Sequence, residues 1–177
     1  MRDQREYVRV WGADNVVRFP RSRWMREFAA PAASYPDTDL IPVNMSAVFT
    51  SFLTGRFGLF DDMDLRRGSG GTMQVVVVGA APADPEATLF CFDTATGRIV
   101  MLGVKDGTLE LVNASFKALS EFLFRFAQFV DEDTGRAGRA RRAAVLRSKL
   151  SRVDPDAFAD PGSWWSATFT QLEYRTH

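Results

Sequence analysis

The chain has 177 residues, 46% of them apolar, with 22 basic and 22 acidic side chains, one histidine and one cysteine. That length fits a single domain, 1–177, able to bury roughly two-thirds of its unfolded surface, and the apolar share excludes intrinsic disorder. A formal charge of zero gives no global field toward nucleic acid or membrane; one cysteine excludes an internal disulfide and fits a reducing, cytoplasmic setting.

The opening stretch, MRDQREYVRVWGADN, mixes both charge signs without an apolar run, so no signal peptide is expected. The short β-branched run NVVRF, closed by Pro20, predicts a strand over 15–19. SRWMREFAA predicts about two helical turns before Pro31, with Ser22 as cap. Prolines at 31, 36 and 42 leave residues 31–55 as loops around one strand near Ala47–Leu53, and DDMDLRRGSGG predicts an exposed loop.

The middle of the chain is clearer. TMQVVVVGA is apolar on both faces and predicts a central, buried strand, although its apolar run (roughly Val75 to Pro82) is far too short to span a bilayer. TLFCFD, RIVMLGV and TLELV follow as short strands, joined by TATG, where Gly97 suits a positive φ, and by Asp106-Gly107. Consecutive strands with tight turns predict an antiparallel meander.

The period then changes. Phe116, Leu119, Leu123, Phe126 and Val130 fall on one helical face, widened by Phe122, Phe124 and Phe129, with Asn113 or Ser115 as N-cap. A second helix is predicted over 140–153 with Ala143, Leu146, Leu150 and Val153 on its stripe, and a third carries Trp165, Phe169 and Leu172. Two Asp-Pro pairs, at 154–155 and 160–161, suit N-cap and N1 positions. Strands followed by helices make the fold class α+β, a mainly antiparallel sheet flanked by helices. No internal repeat is present.

Each candidate for chemistry meets a structural alternative. Cys91 sits in TLFCFD, where alternation puts Leu89, Cys91 and Asp93 on one face and Phe90 and Phe92 on the other. A catalytic thiol needs a neighbouring base or helix terminus, and the one histidine is the last residue, His177, so Cys91 is expected to be buried and inert. One histidine and one cysteine cannot supply the usual zinc ligand sets, nor a Ser-His-Asp set. The Asp61, Asp62 and Asp64 run lacks the spacing of a calcium loop and is expected to be a solvated turn. RRGSGGT lacks the Lys-Ser/Thr ending of a P-loop and precedes a strand, so it is expected to be a connection. No catalytic, metal or cofactor residue is assigned, and no enzyme activity is expected.

Charge is uneven along the chain. From Asp61 to Gly135 there are 12 acids and 6 bases; from Arg136 to Arg152 there are 7 bases and no acid. That basic stretch is the only hint of nucleic-acid contact, but its apolar stripe implies a helix docked on the core with its arginines in solvent. Trp164 and Trp165 suggest a binding pair, yet Trp165 lies on the core stripe and packing is expected.

The ordered segments VWGADNVVRFP, TLFCFDTATGRIVML, LELVNASFKALSEFL and VDPDAFADPGSWWSATFTQLEY together resemble the SUKH superfamily, closest to its fourth immunity-protein subfamily. The residues carrying the resemblance are Asp93, Thr96, Gly97, Val112, Asn113, Ser115, Asp160, Pro161, Trp164 and Trp165. The resemblance implies an α+β fold and a cytosolic protein that binds and neutralises a cognate polymorphic toxin, often a nuclease or deaminase, without catalysis. A scaffold module with a housekeeping protein partner is the alternative on this fold. An acidic surface would face the basic groove of a toxin that acts on nucleic acid. The expected partner-binding patches are therefore Asp61, Asp62 and Asp64, together with Asp131, Glu132 and Asp133.

Overall fold

Four successive apolar strands, the last two reached by tight turns at 94–97 and 104–107, set up the sheet on which everything else packs. The computed structural model describes residues 3–45, 48–53, 55–66, 68, 70–133, 135 and 138–174. Its main sheet consists of β3 (Asp62–Arg66), β4 (Thr72–Ala80), β5 (Thr88–Asp93), β6 (Ile99–Gly103) and β7 (Leu109–Asn113), in that spatial order with every neighbour antiparallel. A smaller antiparallel pair, β1 (Val16–Arg18) and β2 (Leu40–Pro42), lies outside it. The helices are α1 (Gln4–Trp11), α2 (Arg21–Glu27), α3 (Phe116–Asp131), α4 (Arg139–Val153) and α5 (Trp164–Tyr174). The fold class is α+β, as expected.

The pleat separates two cores. Phe90 and Phe92 of β5 join Val76, Val78, Ile99 and Val112 in the cluster that takes in all five helices. Leu89 and Cys91 face the other way, with Val75, Val77, Val100 and Leu102. Among the described residues this second face holds no helix residue; Leu53 and Phe57, from the loop before β3, lie over it with Met63 and Leu65. A β-bulge between Val77 and Gly79 keeps both faces of β4 apolar despite the extra residue. Gly79 is required there, because a Cβ would run into the Phe49 ring and lie 2.9 Å from the Thr50 carbonyl.

Aromatic contacts carry the helical side. Asp3 caps α1, which lays Tyr7 and Trp11 against Phe124 of α3 at ring separations of 5.1 and 6.3 Å. Trp24 of α2 sits among Phe19, Phe60 and Phe92. Phe122 meets Trp165 of α5 edge-on at 5.0 Å. Each such buried ring contributes roughly 2–3 kcal/mol of transfer free energy.

A buried polar knot ties four elements together at the β7 edge. The Asn113 carboxamide donates to Asp154 Oδ2 at 2.9 Å, and the Ala114 backbone N–H donates to the same oxygen at 2.8 Å. Asn113 Oδ1 accepts from the Trp165 indole N–H at 3.0 Å. Asn113, Asp154 and Trp165 are all buried. Asp154 is also the residue that closes α4, its backbone N–H reaching Leu150. The end of β7, the entry to α3, the end of α4 and the start of α5 thus share one set of hydrogen bonds. Ser115, not Asn113, caps α3 through a bond from the Ala118 N–H at 3.0 Å.

Several expectations need correction. DDMDLRR is not all loop: Asp62–Arg66 is an edge strand, because Met63 and Leu65 alternate onto the second apolar face while Asp62, Asp64 and Arg66 point to solvent. The strand expected near Ala47–Leu53 is reduced, among the described residues, to isolated bridges from Thr50 to Asn44 and Ala80; Ala47 lies outside them. The opening residues form α1, and Leu40–Pro42 pairs with β1 despite its proline. Ser22 lies inside α2, whose N-cap position is Pro20. The Asp-Pro pairs do not start long helices: Asp154 ends α4, Pro155 opens a single 3-10 turn, and Asp160 turns the chain by accepting from Gly162 N–H at 2.7 Å. The Ser163 hydroxyl precedes α5 and accepts from Ser166 N–H at 3.4 Å. Val130 and Val153 remain exposed, since both stripes run past the edge of the core.

Three outcomes follow from this packing. Asp154→Ala strands the Asn113 and Ala114 donors and lowers unfolding free energy by about 3 kcal/mol, seen as an earlier urea midpoint at unchanged slope. Gly97, at φ +76°, lies against Ser34, whose side chain any Cβ there would meet; Gly97→Ala costs about 2 kcal/mol by the same assay. Burial pushes the Cys91 thiol up to about 12, so the folded protein reacts with a thiol reagent at neutral pH only as fast as its second face opens, and urea brings labelling to the free-thiol rate.

Candidate partner-binding site

Cys91 is fully buried in the second core and faces apolar side chains. His177 lies outside the described residues. Among the described residues no group of three or more histidine, cysteine, aspartate or glutamate side chains is placed to hold a metal ion. The notable surface features are therefore charged patches and the hollows beside them.

The first acidic triplet belongs to the free edge of the sheet. Gly58 N–H donates to Asp61 Oδ2 at 2.6 Å, which closes the turn leading into β3. Phe60, within that turn, takes a positive φ of 69° and packs its ring on Trp24 at 5.4 Å. The backbone then joins β4 through Phe60 N–H to Val77 O and Val77 N–H to Asp61 O, both 2.8 Å. This turn delivers Asp61, Asp62 and Asp64 exposed on one edge, none with an ion-pair partner among the described residues. Asp62 also borders a hollow of about 360 Å³ with Arg23, Trp24, Glu27, Phe60 and Gln74. Edge strands tend to carry charge that deters unselective strand pairing, and β3 fits that pattern.

The second triplet is divided by its surroundings. Asp131 borders a small hollow with Trp11, Asn15 and Asn44. Glu132 lines the groove between α3 and α4. Asp133 is clamped by Arg139 and Arg142, each at 2.5 Å, and pins the start of α4 to the end of α3. The Arg139 hydrogen bond, helped by Gly135 N–H and Arg142, holds the Asp133 carboxyl below its ordinary range. Asp133 is thus occupied by its own chain, whereas Asp131 and Glu132 are exposed.

The basic segment is a docked helix, as its stripe implied: Ala143, Leu146 and Leu150 are buried. Arg136 and Ala137 lie outside the described residues. Trp165 is buried in the core and Trp164 is half-buried, with its ring against Phe90 at 5.4 Å, so neither forms an exposed pair. Sequence reasoning missed the groove of about 470 Å³ between α3 and α4. No local signal marks it, since its walls come from two helices whose adjacency only the fold supplies.

No helix among the described residues is long and apolar enough to cross a membrane. No curated protein and no solved structure matches the chain at a significant level. A family model described as SUKH-4 immunity protein matches residues 2–171. That match takes in the sheet, the buried knot and most of α5, so the chain belongs to the SUKH-4 immunity protein family.

Proposed function

We propose that this chain is a non-enzymatic immunity protein that binds and neutralises a polymorphic bacterial toxin in the cytosol, the toxin being of a nuclease or deaminase class. The family supports the immunity role. The observation that carries the choice of toxin class and face is the edge at β3. Three exposed carboxylates, Asp61, Asp62 and Asp64, stand there without an ion-pair partner among the described residues, on and just before a strand paired on one side alone among them. A toxin that handles nucleic acid presents a basic groove, and opposite fields accelerate encounter while rejecting wrong partners. Covering that groove is inhibition enough, given an interface of roughly 1,200–2,000 Å². Asp131 and Glu132, at the end of α3, form a separate acidic patch; Asp133 is already engaged.

Affinity capture from the source organism's lysate, nuclease-treated and washed at high salt, is expected to recover one stoichiometric protein carrying a toxin domain. Recovery of housekeeping proteins alone would replace this reading with the scaffold one. With the toxin in hand, Asp61→Lys, Asp62→Lys and Asp64→Lys together should slow association at least tenfold at low salt, an effect that shrinks as salt rises. Unchanged association would move the interface away from β3.

A further inference from the structure

The face of α4 that points away from the core has a feature the acidic edge does not explain. Arg141, Val145 and Lys149 follow at i, i+4 and i+8, so they lie in one row about 12 Å long. All three are exposed, and Val145 is 49% exposed in the middle of the row. They form one wall of the groove of about 470 Å³, and Arg125 and Phe129 of α3, with Glu132 just past its end, lie across from them. Phe129 is buried, which gives the groove an apolar floor.

The charges in this groove are not equivalent. Arg125 is paired with Glu121, and Arg142 with Asp133. Arg141 and Lys149 have no ion-pair partner among the described residues. Two free cations two turns apart, with an apolar residue midway and an apolar floor, match the pattern of a helix carrying two carboxylates two turns apart around an apolar anchor. A nucleic-acid backbone fits less well. It would place phosphates beside Glu132 and leave Val145 and the Phe129 floor without an apolar contact.

We propose that the α3–α4 groove is a second docking site, of opposite sign to the β3 edge, which takes an acidic amphipathic helix of a protein partner. Carboxylates of that helix meet Arg141 and Lys149, and its apolar residue lies on Val145 over Phe129. The site is independent of the β3 edge, with which it shares no residue; its one overlap with the acidic patches is Glu132, at its rim.

The test uses the full chain and a dye-labelled helical peptide with Leu flanked by Glu at i−4 and i+4, followed by fluorescence anisotropy. Saturable binding is expected, weakened at least tenfold by Arg141→Glu with Lys149→Glu, and also by Val145→Asp. All three side chains are exposed, so circular dichroism should show these variants folded. The same peptide with Gln for Glu should bind at least tenfold more weakly. Absence of binding, or equal binding of the Gln peptide, overturns the proposal. Preference for a single-stranded oligonucleotide over the Glu peptide also overturns it and assigns the groove to nucleic acid. Capture of a toxin by the Arg141→Glu, Lys149→Glu variant bears on the β3 reading alone, so the two proposals fail separately.

Discussion

One buried carboxamide holds the helical layer to the sheet. Asn113 has a donor side and an acceptor side, and both are used, one on Asp154 and one on Trp165. A buried polar group without partners costs a few kcal/mol, so this arrangement is stable only when β7, α4 and α5 arrive together. The Ala114 N–H adds the chain entering α3 to the same oxygen. Apolar packing supplies most of the free energy, but it tolerates sliding. The hydrogen-bonded knot favours one arrangement of these elements, and at the far end of α3 the Asp133 clamp on Arg139 and Arg142 fixes the approach of α4.

How much of this could be read from the sequence follows from which signals are local. β4 to β7 and α3 were legible because period-two alternation, Gly97, Gly107 and the phenylalanine spacing all act within a few residues. β5 is a good example, since both its apolar faces were assigned correctly from TLFCFD alone. β3 was not legible, because two of its five residues are aspartates, a glycine-rich run follows it, and only Met63 and Leu65 mark the strand. Their burial depends on Leu53 and Phe57 lying alongside, which no local pattern announces. α1 was hidden by its charges, although Asp3, Tyr7 and Trp11 in hindsight supply a cap and an i, i+4 aromatic pair.

The charged surface obeys the same division. Asp61, Asp62 and Asp64 were visible as a run, but their place on a free edge depended on β3. Asp131, Glu132 and Asp133 looked equivalent in sequence, yet Asp133 spends its charge on Arg139 and Arg142. The outcome is a molecule with two poles. A carboxylate-bearing strand closes one edge of the sheet, and on the helical side α4 carries Arg141 and Lys149, which have no ion-pair partner among the described residues. Because positive and negative charges cancel over the whole chain, the polarity is invisible to net charge.

The helices all share one face of the sheet, and the other face is covered by the loop before β3. That asymmetry divides the chain into a half that must stay fixed and a half that is free to vary. Changes among the helices disturb aromatic contacts and the Asn113 knot together. The covering loop touches the sheet through few side chains, chiefly Leu53 and Phe57, while Phe52 stands 67% exposed. Substitutions in this loop and the adjoining strand therefore disturb fewer packed side chains than substitutions in the helical layer, where each aromatic ring touches several others.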